Sequence, residues 1–403
     1  MRTKLGSLKV KTCIKISLFA GVFCYTTHGT ASSEIYLENG VVVKPLLNVV
    51  SKYDDNIYQQ ASDKQGDSIL IVTPSIGLVF DDGLNQYKLD LGLSSGSYGK
   101  NSDDNYLDTE ANLSAHFEPS NKHRFDLLAS AFSQSEPRGT GVTEGAGSAL
   151  SEPLIYKQHI LGGKYEFGAM SSFTRIAFEA QSENKKYDNF RSISKYRDTS
   201  SIKFGSSLFY KMDSETDLFL DLSREDIKYN EIEDNTISRD SKDNRALLGV
   251  QWEMTSMTTG LAKLGYQNKS FVGSSRENFS GLSWEAQIQW QPLTYTNITF
   301  ETSRAAKDPT TEGDYVNQSL YALNWNHNWN EKLRSSIGAS FTTDVYTGIY
   351  RKDEILTGRF SISYLIQRWL EIGVFIEIKD NDSTTEIMSF DKNLAGLNFN
   401  ISM

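Results

Sequence analysis

The chain has 403 residues, of which 38% are hydrophobic and 12% aromatic, and its 41 basic against 51 acidic side chains give a formal charge of −10. So few apolar residues exclude a bundle of membrane-spanning helices, because each span needs about 20 predominantly apolar residues in a row. The acidic balance argues against nucleic acid as a partner, since phosphate backbones bind basic surfaces.

The first segment has the three parts of a secretory signal peptide. Five basic residues precede an apolar run at 16–25, and small residues then offer a cleavage site after Ala31. We therefore predict a Sec signal peptide at residues 1–31. A lipidated Cys24 is the alternative, but Phe23 is too bulky for the small position that normally precedes such a cysteine. Both cysteines lie inside the removed peptide, so the mature chain can form no disulfide.

From residue 44 onward, apolar and polar side chains alternate with a period of two. In 107–117 the odd positions are mostly apolar and the even positions polar, and the pattern returns at 282–290, 356–366 and 370–378. A period of two indicates β-strands with one apolar and one polar face. A soluble antiparallel sandwich shows the same alternation, so the connections between strands must distinguish the two classes.

Short connections alternate with long polar ones along the chain. The tight links are 81–83, 118–122, 168–171, 212–215, 255–257, 330–331 and 367–368, and the long ones include 54–67, 134–153, 183–197, 228–243, 271–278 and 305–315. Outer-membrane barrels combine short periplasmic turns with longer extracellular loops. The sequence therefore predicts an all-β fold: a transmembrane antiparallel up-and-down β-barrel of about 18 strands, with both termini on the short-turn side. We expect a short periplasmic N-terminal segment at 32–43 and the barrel at 44–403.

Aromatic residues mark the strand ends beside the short turns, as expected for an interfacial girdle. These residues are Phe80, Phe117, Phe167, Tyr210, Trp252, Trp290, Trp329 and Trp369. The C-terminal run alternates to its end, with Phe399, Ile401 and Met403 on one face. This run resembles the terminal strand signal that the barrel assembly machinery reads, although Met403 stands where such signals most often place Phe.

Residues 47–58, and above all the run Tyr53-Asp54-Asp55-Asn56-Ile57-Tyr58, resemble the opening strand and loop of a β-barrel porin family encoded in exopolysaccharide and capsule operons. The resemblance implies an outer-membrane porin-like channel of a Gram-negative bacterium that exports an extracellular or capsular polysaccharide. It also implies outer-membrane lipid around the barrel, and a periplasmic polysaccharide-export protein and an inner-membrane synthesis complex as partners.

Strand parity assigns charges of both signs to the barrel lumen. Together with Gln and Asn, this mixture suits a hydrated, sugar-like solute better than a lipid; equally, the charges can be cross-strand ion pairs that only hold the wall. The predicted pore-lining residues are Lys88, Asp90, Asp108, Glu110, Arg124, Asp126, Arg175, Glu179, Arg245, Glu285, Arg334, Arg359, Glu371 and Glu377. Parity also assigns Lys164, Glu166, Lys203, Asp217, Asp221, Glu253, Lys263 and Glu301 to the lumen.

Evidence for catalysis is weak, and we expect no enzyme activity, metal or cofactor. The mature chain has four histidines, His116, His123, His159 and His327, the last of which falls in the predicted girdle. The acidic pairs Asp54-Asp55, Asp81-Asp82 and Asp103-Asp104 have calcium-type ligands but no ordered ligand spacing, so we expect solvated turns. The sequence contains no phosphate-binding glycine loop and no nucleophile elbow.

Loop 134–153 is the best candidate for a constriction. It carries four glycines and is nearly uncharged at its centre, so it can fold inward; a disordered surface loop is the alternative. The leading hypothesis is an exporter of polysaccharide. The alternatives are a general or oligosaccharide-uptake porin and an outer-membrane hydrolase, which a histidine with acidic or Ser partners on the loop rim would favour.

Overall fold

A computed structural model describes residues 34–402 except 235, 256 and 274; the predicted signal peptide and Met403 lie outside the described residues. Most of the described residues lie in β-strands. The strands are β1 Ile35–Tyr36, β2 Val41–Asp54, β3 Asp67–Asp81, β4 Gln86–Tyr98, β5 Tyr106–Ser120, β6 His123–Glu136, β7 Leu154–Phe167, β8 Thr174–Tyr187, β9 Thr199–Lys211, β10 Thr216–Tyr229, β11 Ser241–Thr255, β12 Thr258–Phe271, β13 Phe279–Leu293, β14 Thr296–Lys307, β15 Val316–Asn328, β16 Leu333–Tyr346, β17 Lys352–Gln367, β18 Leu370–Ser383 and β19 Phe390–Ser402.

In the part of the chain that the structure describes, helical structure is confined to short turns within the longer connections. The turns are Ser102–Asp104, Gly141–Thr143, Gly147–Ala149, Arg191–Ser194, Lys195–Arg197 and Glu386–Met388. Of the helices in the described residues, none is long and apolar enough to cross a membrane.

The sheet closes on itself. From β2 to β19 every strand pairs antiparallel with the next, and β19 pairs with β2 through contacts such as Ile401 with Leu47. The result is an 18-stranded barrel, and β1 adds a two-residue strand on β2. The predicted fold class and strand number are confirmed. Closure satisfies the backbone N–H and C=O groups that an open edge would leave unpaired in hydrocarbon, at several kcal/mol each.

The period-two pattern separates the two faces of the wall. On the outer face, Leu107, Leu161 and Leu248 are 62%, 66% and 65% exposed, as side chains that meet lipid have to be. The register keeps the faces aligned between strands, since Leu91 lies opposite Ala111 while Asp90 lies opposite Asn112. A slip of one residue would turn the polar face towards lipid, so burial of the apolar face in the membrane determines the register.

The connections lie on two rims. Those on the short-turn rim are 82–85, 121–122, 168–173, 212–215, 256–257, 294–295, 329–332 and 368–369; those on the loop rim are 55–66, 99–105, 137–153, 188–198, 230–240, 272–278, 308–315, 347–351 and 384–389. Several strands extend further into the predicted loops than expected. In place of the predicted loop 183–197, the structure has a connection at 188–198. The backbone ladder continues there, with Lys185 opposite Thr199, after the outward side chains have become polar.

The short-turn rim carries the predicted aromatic girdle. Trp290, Trp329 and Trp369 are 47%, 57% and 49% exposed at strand ends or turns on this rim. The ring of His327 lies 4.4 Å from that of Trp329, between centroids, so the predicted place of His327 in the girdle is confirmed. Both ends of the barrel sequence, Val41 and Ser402, lie on this rim, as predicted.

Candidate functional site

The predicted pore-lining residues share the wall face that is opposite the exposed apolar side chains. Cross-strand partners show this directly: Arg124 lies opposite Glu166, and Arg359 lies opposite Glu377. Because the outer face of a membrane barrel meets lipid, this second face is the lumen side. Most of the predicted residues are engaged in ion pairs there. These pairs are Lys88–Asp90, Arg124–Glu166, Arg175–Glu166, Arg175–Asp217, Glu179–Lys203, Arg245–Asp243, Lys263–Glu285, Arg334–Glu371 and Arg359–Glu377.

A continuous network crosses the short-turn half of this wall from β6 to β10. Arg175, only 2% exposed, holds Glu166 and Asp217 at 2.8 Å each, and Arg124 holds Glu166 at 2.7 Å. The guanidinium of Arg175 also lies 5.1 Å from the centre of the Phe209 ring. Charges this well paired make the wall rigid, and removing one partner would leave an uncompensated buried charge. These contacts are of the kind that holds the wall together.

Lysine 263 bridges two more acidic residues on the same face. Its Nζ lies 3.0 Å from Asp221 and 3.9 Å from Glu285. Other predicted residues bond to backbone or histidine: Asp108 accepts the amide of Ser135, and Asp126 lies 2.7 Å from His116 Nδ1. The lumen wall therefore combines positive and negative charges pair by pair.

The connection 137–153, which we call the lid loop, is held at its start by neighbouring loops. Arg138 donates to Asp104 at 2.7 Å, to the phenolic oxygen of Tyr58, and to the carbonyl of Leu150 at 2.8 Å. The bond to Asp104 raises the pKa of Arg138. Burial and the same carboxylate raise the pKa of Tyr58 to about 12, so this phenol is neutral near neutral pH. Gly139, with φ +82°, lies directly against the Tyr58 carbonyl.

The tip of the lid loop reaches the far side of the mouth. Glu144 accepts a bond from Arg351 Nη2 at 2.7 Å and one from Thr310 Oγ1 at 3.3 Å. The lid loop follows β6 and Thr310 follows β14, eight strands further round a ring of 18. The lid loop therefore crosses the mouth instead of extending into solvent. We call the contact between Glu144 and Arg351 the latch.

Arg351 is held in place by more than the latch. Its side chain is 2% exposed, it is bonded to Asp353, and it lies 4.3 Å from the centre of the Tyr346 ring. Burial opposes its charge, but the bonds to Asp353 and Glu144 outweigh burial and raise its pKa. The guanidinium of Arg351 is therefore a fixed, permanently charged group to which the loop tip binds.

A second set of arginines converges on loop 308–315. Arg197 and Arg239 each donate to the carbonyl of Thr311 at 2.7 Å, and Arg276 donates to that of Gly313 at 3.0 Å. Burial and the neighbouring Arg197 cation lower the pKa of Arg239. Sequence reasoning missed this convergence and the latch, because bonds between distant loops leave no local pattern. The available signal was the recurrence of an arginine in one polar loop after another.

The acidic pairs serve turns and loop contacts. Asp82 accepts the backbone amides of Leu84 and Asn85, and Asp54 accepts that of Asn56. In the described part of the chain, no group of three or more His, Cys, Asp or Glu side chains is arranged to hold a metal ion. His116 has acidic partners, but it lies towards the short-turn rim, and both of its ring nitrogens face carboxylates.

A family model described as "Putative beta-barrel porin 2" matches residues 40–402. A search of curated proteins found no match. Similar solved structures include the FrpB iron transporter of Neisseria meningitidis, F5-1 variant, in its apoprotein form (11% identity, 86% of this chain and 62% of that chain, TM-score 0.49). OpdK of Pseudomonas aeruginosa with vanillate is 11% identical, with 92% of this chain and 100% of that chain covered and a TM-score of 0.48. OccAB3 of Acinetobacter baumannii is 11% identical, with 89% of this chain and 98% of that chain covered and a TM-score of 0.46. The chain thus spans less than two thirds of FrpB.

Proposed function

The chain belongs to the "Putative beta-barrel porin 2" family, and on this premise we propose that it exports an extracellular or capsular polysaccharide across the Gram-negative outer membrane. The family and the closed barrel make it an outer-membrane porin-like channel whose apolar face meets lipid. We further propose that the segment at 1–31 is the signal peptide that delivers it.

The observation that carries the proposal is the lid loop, latched across the mouth of a polar lumen. A barrel of 18 strands is wide enough to leave an aqueous path unless something obstructs it. An exporter has to stay closed until polymer arrives, since a permanent hole of that width would let periplasmic solutes escape. A general uptake porin needs no such closure. The loop contacts that join opposite sides of the rim therefore favour a gated exporter.

The chemistry of the wall suits a polymer of sugars. Amide side chains such as Asn48 and Asn400, 2.7 Å apart, and Gln287, 3.0 Å from Glu301, can exchange their mutual bonds for bonds to hydroxyl groups. The stronger charges are already neutralised in pairs, so a neutral or moderately charged chain meets no deep electrostatic trap. A wall of this kind binds weakly at many points, which permits movement.

We place the periplasmic partner at the short-turn rim. A periplasmic polysaccharide-export protein would deliver the polymer there, and its arrival would release the lid loop on the opposite rim. The barrel assembly machinery would insert the protein by reading its C-terminal strand.

Single-channel recording in a planar bilayer tests the gate. We expect the intact protein to be silent and a deletion of 137–153 to conduct; an intact protein with large steady conductance would overturn the gated proposal.

The direction of transport is tested in cells that lack the protein. We expect surface polysaccharide to be lost and polymer to collect in the periplasm, and the wild-type protein to restore export. Unchanged surface polysaccharide with impaired oligosaccharide uptake would instead identify an uptake porin.

A further inference from the structure

The outer face of β7, β8, β10 and β11 ends in a cluster of basic side chains near the loop rim. The basic cluster consists of Lys157, Lys186, Arg224, Lys228 and Lys242, all exposed. The register aligns them on one face: Lys157 lies opposite Lys186, and Arg224 lies opposite Asn244, two residues from Lys242. Arg224 directly follows the apolar outward residues of its strand, and one or two polar outward residues separate the other four from the apolar part of theirs.

The height of the cluster above the girdle matches the thickness of the apolar band. Phe167 and Lys157 are ten residues apart on β7, and Trp252 and Lys242 are ten apart on β11. At about 3.3 Å per residue and a tilt of about 40°, ten residues rise roughly 25 Å. An outer-membrane barrel has an apolar band of about that height, so the cluster lies at the head-group level of the outer leaflet.

The charge of the cluster is only partly balanced from within the protein. Asp188 pairs with Lys157 at 2.7 Å and Asp226 with Arg224 at 3.0 Å, and Asp226 also lies opposite Lys242. Among the described residues Lys186, Lys228 and Lys242 form no ion pair, so five cations face two carboxylates. Like charges on directly opposite residues, as at Lys157 and Lys186, destabilise a strand pair. In a chain of net charge −10, this local excess of cations calls for an external anion.

The excess is confined to one side of the barrel. At the loop ends of β18 and β19 the outer face instead presents Asp380, Asp382 and Asp391. If the whole rim attracted anionic lipid, its outer face would be basic all the way round and not acidic on one side. The basic cluster is therefore a local feature with a local ligand.

Below the cluster, the lipid-facing surface has an apolar groove of about 420 Å³. Gly163 and Ala180 lie opposite one another and form its floor, because neither has a large side chain. Leu127, Phe178 and Phe204, each at least half exposed, flank it. Ala180 lies six residues below Lys186 on β8, at the depth of acyl chains. Groove and cluster together fit an amphiphile with anionic head and apolar tails.

We propose that this surface binds a phosphorylated glycolipid of the outer leaflet, with its phosphate groups on the basic cluster and an acyl chain in the groove. Lysine ammonium groups bind phosphate as point charges, and several of them together suit a head group with two phosphates. The groove is what selects a lipid over a free phosphate ion, since an ion gains nothing from apolar surface. Binding here would fix the barrel's orientation among its lipid neighbours and does not depend on what the channel carries.

The test uses the purified full-length protein in phosphatidylcholine nanodiscs that contain bis-phosphorylated lipid A. Native mass spectrometry counts the lipid A molecules that stay bound, over a titration. The variant is K186Q/K228Q/K242Q, and the control is K122Q/K332Q/R368Q, which removes the same charge from exposed turns on the short-turn rim. A second variant, Gly163→Leu, fills the groove without altering charge. A heat-modifiable gel shift verifies that each variant is folded.

We expect the triple lysine variant to bind lipid A roughly a hundredfold more weakly, at about tenfold or less per charge near an anionic head group, and the control to bind within about twofold of wild type. Lysine-to-arginine substitutions at the same three positions should retain binding, and Gly163→Leu should weaken it. Wild-type affinity in the triple variant would overturn the proposal, as would equal binding of dephosphorylated lipid A. Displacement of lipid A by inorganic phosphate would also overturn it, by revealing an ion site. None of these readouts measures transport, so failure here is distinct from failure of the exporter proposal.

Discussion

Glu144→Gln should open the channel by weakening the latch. The substitution keeps the size of the side chain and removes the charge that Arg351 bonds at 2.7 Å. Arg351 keeps its ion pair with Asp353, so its guanidinium stays in place. A hydrogen bond to a charged group contributes about 1.5–3 kcal/mol. Losing most of it shifts the ratio of open to closed mouths by about 10- to 100-fold.

The assay is single-channel recording of open probability at fixed voltage and salt concentration. Asp226→Asn is the matched control, since it removes one carboxylate from the exposed pair with Arg224 on the outer face, where such pairs contribute little. A double-mutant cycle with Arg351→Gln isolates the latch: if the two residues act through one contact, the double variant opens no further than the more open single variant. An E144Q channel as silent as wild type, beside a conducting deletion of 137–153, would refute the latch.

Three further changes probe the wall and the lid loop. Arg175→Gln leaves the largely buried Asp217 without its cation and removes one of the two arginines that hold Glu166, so urea unfolding should show a loss of about 3–5 kcal/mol, whereas exposed Arg224→Gln should cost little. Gly139→Ala brings a methyl group to 1.7 Å from a carbonyl, so the loop must move and conductance should rise; Gly83→Ala, also at positive φ but with open space, should leave conductance unchanged. Lys263→Gln, made in the conducting deletion of 137–153, leaves two lumenal carboxylates without their cation, so the reversal potential in a salt gradient should shift towards cation selectivity, and an unshifted potential would contradict a pore-lining position.

The fold was largely predictable because the membrane imposes a strict pattern on each strand. Every outward residue within the apolar band meets lipid, so positions such as Leu107 and Leu113 alternate with polar neighbours, and this alternation identifies strand, face and register. The strand ends were harder to predict. On β8 the outward residues Asn184 and Lys186 are polar, so the alternation stops although backbone pairing continues beyond the apolar band.

The mouth could not be predicted in the same way, because its contacts join distant parts of the chain. Glu144 and Arg351 are 207 residues apart, and neither lies in a local sequence pattern that points to the other. An inward loop was a reasonable hypothesis from its glycines, but the sequence contains nothing that selects its binding partner. Only the closed ring, by carrying the loop after β16 to the far side of the lid loop, brings the two charges together.

The start and the tip of the lid loop are held unequally, and this asymmetry suggests how the mouth opens. At the start, Arg138 makes bonds to three neighbours and Gly139 packs against a backbone carbonyl, so this end is anchored. At the tip, Glu144 makes two bonds, to Arg351 and Thr310, together about 2–4.5 kcal/mol. Converting a mouth that is 99% closed into one that is 99% open takes about 5.5 kcal/mol. The tip bonds supply much of that difference, so a polymer or partner that displaces them releases the tip first, and the loop swings about its anchored end.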